Sequence, residues 1–260
     1  MCRLLGVIAN KEVDLRFSLL EGPKTLKDLS EQHKDGWGLG WYEGGSPKVV
    51  KEPRKAAESP KYEQTSAEAS SRIFVAHVRR ATQGGNTPHN CHPFKWGRWL
   101  FAHNGTVNRD QLLNLLNKEH RDAIRGETDS EVYFHWILQT IEHEGDVVNG
   151  IKVALRAVRN FRHSGLNFIL SDGERLYAFR EASQNCGYYS LYRLNRDPRQ
   201  PGPIRLESEV KVLLESKSLN NERAVLVCSE KLTQEEWLEI PLRHLLVVSS
   251  DLKTELVEMD

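Results

Sequence analysis

Position 2 of the chain is a cysteine, in the stretch "MCRLLGVIAN". Removal of Met1 would place a thiol and a free α-amino group on one residue. A thiol needs a nearby base to react at neutral pH, and an α-amino group with a pKa of about 7.7–8.0 can be that base. Taken alone, Cys2 could equally be incidental, since chain termini fray. Four more stretches put polar residues where strands should end: "AHVRRATQGG" (76–85), "NCHPF" (90–94), "AHNGTV" (102–107) and "GETDSEV" (126–132). Asn104-Gly105 reads two ways. Asn-Gly is a strong hairpin-turn signal, but an amide N–H and a glycine backbone N–H can also converge on one oxygen as an oxyanion hole. Arg79 and Arg80 are either two surface cations or, because strand side chains alternate, one outward and one inward cation whose fork suits a carboxylate. Asp129 is either a helix N-cap or a carboxylate for an ammonium group. His77, His89, Cys91, His92 and His103 do not have the spacing of a zinc site, and no CxxC pair accompanies them. No metal and no cofactor is expected, and Cys91 and His92 are read as shaping a loop.

The elements that must carry these residues follow from periodicity. Strands are expected at Cys2–Ala9, "GWGLGWY" from Gly36, "KVVKEP" after an "EGGSP" turn, "RIFVAHVR" and "RWLFAHNG". Asp14–Leu20 and Thr25–Gln32 have helical spacing, and Ser66–Ser71 is read as closing a short helix. Asn108 should cap a helix over "RDQLLNLLNK", Asp129 should cap a long one, and Asp146–Asn160 is another. "LNFILSDG" and "RLYAFRE" should form strands joined by a tight Asp172-Gly173 turn. Asn195–Pro203 is expected as an exposed loop, with late strands at "RAVLVCSE" and "RHLLVVSS". Strands, then helices, then strands suit an α+β layered domain.

Composition narrows the function. Lysine plus arginine and aspartate plus glutamate are 36 each, for a formal net charge of zero. That argues against nucleic-acid and anionic-lipid partners. No apolar run approaches the ~20 residues of a membrane span, and the N-terminus does not look like a signal peptide. A cytoplasmic protein is expected, with its four widely spaced cysteines, Cys2, Cys91, Cys186 and Cys228, unpaired.

The ordered set "MCRLLG", "GWGLGW", "AHVRRAT-G", "HPF", "HNG" and "ETDSE", with "VCSEKLT…EEW" near the C-terminus, resembles the class II glutamine amidotransferases, and within them the stand-alone YafJ-like type. The resemblance runs from Cys2 to about Ser250 and implies a single domain over residues 1–260. It implies a four-layer αββα sandwich of the N-terminal nucleophile hydrolase type. It implies Cys2 as nucleophile, Asn104 and Gly105 as oxyanion hole, Arg79 on the α-carboxylate of glutamine and Asp129 on its α-ammonium. Thr82 and Gly84 would line the pocket. Where the glucosamine-6-phosphate synthase branch typically has tryptophan and histidine, this chain has Arg80 and Gln83, so its loop over glutamine should differ. With no synthase segment recognised, an ammonia-accepting partner subunit is an expected partner. Two other readings remain open at this point: a γ-glutamyl amide or peptide hydrolase with a larger substrate, and a non-catalytic amino-acid-binding module. A papain-like protease fits poorly, because its cysteine would start a helix. His33 and Lys34 receive no role.

Overall fold

The computed structural model describes residues 2–197 and 223–260. Strand β1 (Arg3–Asp14) is followed by one π-helical turn (Phe17–Glu21), the short helix α1 (Leu26–Leu29), and the hairpin β2 (Gly36–Glu43) and β3 (Ser46–Glu52). Helix α2 (Pro60–Glu68) leads into β4 (Ser70–Arg79), then β5 (Phe94–Trp96) and β6 (Trp99–Gly105). The helices α3 (Arg109–Leu115), α4 (Lys118–Ala123), α5 (Asp129–Glu144) and α6 (Val147–Val158) form one run. The strands β7 (Leu166–Ser171), β8 (Leu176–Arg180), β9 (Tyr192–Arg196), β10 (Ala224–Cys228), β11 (Leu238–Glu239), β12 (His244–Val248) and β13 (Thr254–Glu258) complete the described chain. They make two sheets, in the orders β11-β9-β10-β1-β4-β2-β3 and β13-β12-β8-β7-β6-β5.

Side-chain parity explains the layering. Along β1, Leu5, Val7 and Ala9 pack outward with Phe74, Ala76 and Val78 of β4 under α1 and α2. Leu4 and Ile8 face the other way, with Ile73 and Val75, against Leu100, Ala102 and Ile169 of the second sheet. That sheet turns Phe101, Phe168, Tyr177 and Phe179 toward α3–α6. The order is therefore helix, sheet, sheet, helix, and three apolar layers hold it. Each fully buried Leu, Ile or Phe side chain contributes roughly 1.5–3 kcal/mol. The alternation in "GWGLGWY" has the same cause. Trp37, Leu39 and Trp41 join the outer layer, while the inner face is Gly36, Gly38 and Gly40, followed by Tyr42. A Cβ on Gly38 would lie 2.0 Å from the His92 carbonyl oxygen, so only glycine lets the loop before β5 approach β2.

Several expectations change. Thr128, not Asp129, caps α5, its side chain accepting from Glu131 N, and Asp129 is the first helical residue. Asn104-Gly105 ends β6, paired with Asn167 and Leu166, rather than forming a hairpin turn. The helix before β4 is Pro60–Glu68, capped by Ser59, and Ser70–Ser71 already belongs to the strand. "RDQLLNLLNK" breaks at Leu116, because Asn117 caps a second helix, α4. Asp14–Leu20 makes no α-helix, since β1 runs through Asp14, and the helix in Thr25–Gln32 shrinks to Leu26–Leu29 behind a Thr25–Asp28 capping box. The β7–β8 turn takes four residues, with the Asp172 carboxylate accepting from the backbone N–H of Glu174 and Arg175. Asn195 and Arg196 lie in β9 rather than a loop, and residues 198–203 of that expected loop fall outside the described residues. Among the described residues, no helix is long and apolar enough to cross a membrane.

Candidate active site

Cys2 leads into β1 on the inner face shared by Leu4 and Ile8, and β1 pairs with β4 so that Arg3 opposes Val78. This register sets Cys2 beside the end of β4. Its Sγ accepts from Arg80 N at 3.4 Å and lies 3.5 Å from Arg80 O. Burial pushes the thiol pKa up, opposed by the Arg80 amide and the Arg79 guanidinium, while the Asp129 carboxylate adds to the rise. Cys2 therefore lies within electrostatic reach of both Arg79 and Asp129.

Arg79 is buried, two residues past His77 on the inner face. Its side chain meets no carboxylate among the described residues. Nη2 donates to Gln83 O at 2.7 Å and Gly84 O at 3.2 Å, and Nη1 donates to Gly85 O at 3.2 Å. Three of the five N–H groups of an arginine are thereby spent on backbone carbonyls, and the guanidinium shapes the loop after β4. That loop is clamped from its far side by two residues to which sequence reasoning gave no role. The Glu127 carboxylate accepts from Gly85 N at 2.8 Å and from Asn90 Nδ2 at 3.1 Å. Asn90 returns the contact, its Oδ1 accepting from Glu127 N at 2.7 Å. Both lie in the polar stretches "NCHPF" and "GETDSEV", and that is the signal that could have found them. Arg80, Thr82, Gln83 and Gly84 are exposed along this loop.

Asn104 follows Leu100 and Ala102 on the inner face of β6. It is 1% exposed, and neither Nδ2 nor Oδ1 has a hydrogen-bond partner among the described residues. Buried polar side chains are normally paired, so an unpaired amide here is a feature to explain. Gly105 is obligatory for a steric reason: a Cβ on it would lie 1.8 Å from the Gly165 carbonyl oxygen. Gly165 in turn packs on the Tyr189 ring, whose hydroxyl donates to Ser164 Oγ at 2.6 Å. Tyr189 also feels the Cys2 charge. Cys2, Tyr189, Gly165 and Gly105 therefore share one end of the inter-sheet gap. Asp129 reaches it from α5, with Oδ2 accepting from Val107 N at 2.7 Å. Burial raises its pKa to about 6, against the pull of the helix-start amides and Arg109.

His77 and His92 lie behind this end with ring centroids 4.2 Å apart. Burial pushes both imidazole pKa values well down. His103 faces the helices instead, its ring nitrogens on Ser130 Oγ and Gly165 O. Among the described residues, no group of three or more His, Cys, Asp or Glu is arranged to hold a metal ion.

A half-buried thiol, an unpaired buried amide and a buried carboxylate lie toward one end of a two-sheet sandwich. The family model for class II glutamine amidotransferases matches residues 1–258. The chain belongs to this family. Among the relatives of this amidotransferase are an uncharacterised protein of Methanocaldococcus jannaschii, 34% identical over 259 residues that make up 95% of this chain and 69% of that one. YafJ of Escherichia coli is 31% identical over 253 residues, 92% of this chain and 94% of YafJ. The solved structure of a glutamine aminotransferase class-II domain protein from Silicibacter pomeroyi superposes with a TM-score of 0.66 at 21% identity, covering 99% of both chains. The fold of the amidotransferase is the expected α+β sandwich of the N-terminal nucleophile type.

Proposed function

We propose that residues 1–260 form one glutamine amidotransferase domain in which Cys2, freed of Met1, hydrolyses the side-chain amide of glutamine to glutamate and ammonia. The observation that carries the reading is Asn104: an amide buried without a partner, beside the gap that holds the Cys2 thiol. The α-amino group of Cys2 takes the thiol proton, and the thiolate attacks the amide carbonyl. The developing oxyanion collects N–H donors from Asn104 and Gly105. The ammonium then returns the proton to departing ammonia, leaving a γ-glutamyl thioester that water hydrolyses. Asp129 holds the α-ammonium of the substrate. Arg79 holds the α-carboxylate with the part of its fork not spent on the loop carbonyls, and Thr82 and Gly84 line the same loop. The ammonia goes to an acceptor on a partner subunit, and the enzyme works in the cytoplasm.

A second reading has its own support. The loop from Arg80 to His89 is exposed along its whole length, so the wall it forms admits a γ-glutamyl amide larger than glutamine. Intact mass spectrometry before and after incubation with a diazo-ketone analogue of glutamine separates the cases. Loss of Met1 with one adduct on Cys2 supports the glutaminase. Loss of Met1 without an adduct favours the larger substrate. Met1 retained on an unlabelled protein that also leaves glutamine unhydrolysed overturns the nucleophile assignment and leaves an amino-acid-binding module.

A further inference from the structure

A second cavity, of about 260 Å³, opens at the edge of the sandwich between β3, β5 and the α4–α5 junction. None of Cys2, Arg79, Asn104 or Asp129 lines it. Its walls are apolar and aromatic, including Phe94, Trp96 and Phe134. Its polar groups are mostly cationic. The Lys51 ammonium donates to Cys91 O at 2.7 Å and Pro93 O at 3.4 Å and stands 5.1 Å from the Phe94 ring centroid. An ammonium has three N–H donors, so one is uncommitted. The Arg125 side chain has no hydrogen-bond or ion-pair partner among the described residues, although its backbone N–H is held by Glu131. Glu131 is the one carboxylate in the lining, and each of its two oxygens already accepts a backbone N–H, from Arg125 N at 3.0 Å and Gly126 N at 2.6 Å.

The cavity also has one oriented acceptor. The Glu142 carboxylate can only accept, so His120 Nε2, 3.0 Å away, donates to it. With His120 neutral, its Nδ1 is an acceptor, and His135 Nδ1 donates to it across 3.1 Å. His135, a lining residue, is thereby held with its Nε2 as a lone-pair acceptor. A chain from a surface carboxylate through two imidazoles fixes one tautomer of one ring. We propose that this cavity is a second ligand site, for a small organic oxyanion, a carboxylate or a phosphate ester, that carries an aromatic or apolar body and a hydrogen-bond donor. Lys51 and Arg125 meet the oxyanion, the aromatic walls cover the body, and His135 accepts from the donor. Burial holds the Lys51 pKa down, and a bound anion would offset that cost.

The test is calorimetric titration of the full chain with 4-hydroxybenzoate, benzoate, phenyl phosphate and neutral benzamide. At least one of the two oxyanion classes should saturate a single site, with benzamide silent. The better class distinguishes carboxylate from phosphate recognition. Arg125→Gln, at an exposed position that the fold does not need, should weaken binding about tenfold or more, as expected for losing a hydrogen bond to a charged group. His135→Leu should erase a preference for 4-hydroxybenzoate over benzoate. Cys2→Ala should bind like the parent, which separates this site from the catalytic reading. Silence from every anion, equal binding of benzamide, or full affinity in Arg125→Gln overturns the proposal.

Discussion

Asn104 is placed against its own stability interest. Leaving a buried amide without a protein partner costs on the order of 1–3 kcal/mol, and a leucine of similar size would avoid that cost. Asn104→Leu should therefore unfold at a temperature equal to or a few degrees above the parent, while kcat for glutamine falls on the order of 10²–10³. Activity assay and thermal melt together check it, and a large drop in both would make Asn104 an ordinary core residue. Asp129 makes a separate prediction. Its pKa is raised to about 6, so it carries charge above that pH and is neutral below it. A neutral carboxyl cannot hold an ammonium, so KM for glutamine should rise about tenfold per pH unit below pH 6. Asp129→Asn should show a high KM at every pH and lack that step. A parent KM that stays flat from pH 5 to 7 would reduce Asp129 to its bond with Val107.

Among the elements, the α5–α6 pair shows how packing overrides local preference. Gly150 lies inside α6, and Gly→Ala in a helix interior normally stabilises by about 1 kcal/mol. Here a Cβ would lie 2.4 Å from Ile141 Cα, which is backbone and cannot rotate away. Gly150→Ala should destabilise by about 2 kcal/mol or more, read as a lower urea midpoint with unchanged slope, and a stabilised variant would mean the helices can part freely. The same contrast explains what the sequence made legible. The central strands β1, β2, β4, β6, β7, β10 and β12 announce themselves by apolar runs, since each is covered on both sides. The shorter and more exposed strands do not. β9 buries only Leu194 fully, β13 leaves Leu256 exposed, and β5 and β11 are too short to show a period. The residues proposed for the site sat in recognisable polar stretches at strand ends. What stayed hidden was tertiary: that Arg79 spends its fork on Gln83, Gly84 and Gly85, that Glu127 and Asn90 clamp the same loop, and that Thr128 takes the cap that Asp129 was read to hold.

Across the whole molecule, buried imidazoles set the response to acid. Burial lowers His77 and His92 well below the ordinary histidine value and brings His103 and His135 to about 4. A group whose folded pKa is depressed below about 6.5 stays neutral in the native state while its unfolded counterpart takes up a proton. Between about pH 6.5 and 4 the unfolded chain therefore binds more protons at these four sites, and stability falls as pH falls. Asp129 acts in the opposite sense, since its folded pKa of about 6 lies above the unfolded value, so the native state holds the extra proton there. Taken over these five groups alone, the uptake on unfolding near pH 5 is about three protons, or about 4 kcal/mol per pH unit. Two pH units therefore remove stability of the same order as a typical total of about 5–15 kcal/mol. Urea midpoints measured from pH 7 to 4.5 should drop steeply below pH 6, and His135→Leu should flatten the slope by about one proton. A midpoint that holds steady to pH 4.5 would mean that these imidazoles are charged in the native state, and that water or an anion reaches them inside the sandwich.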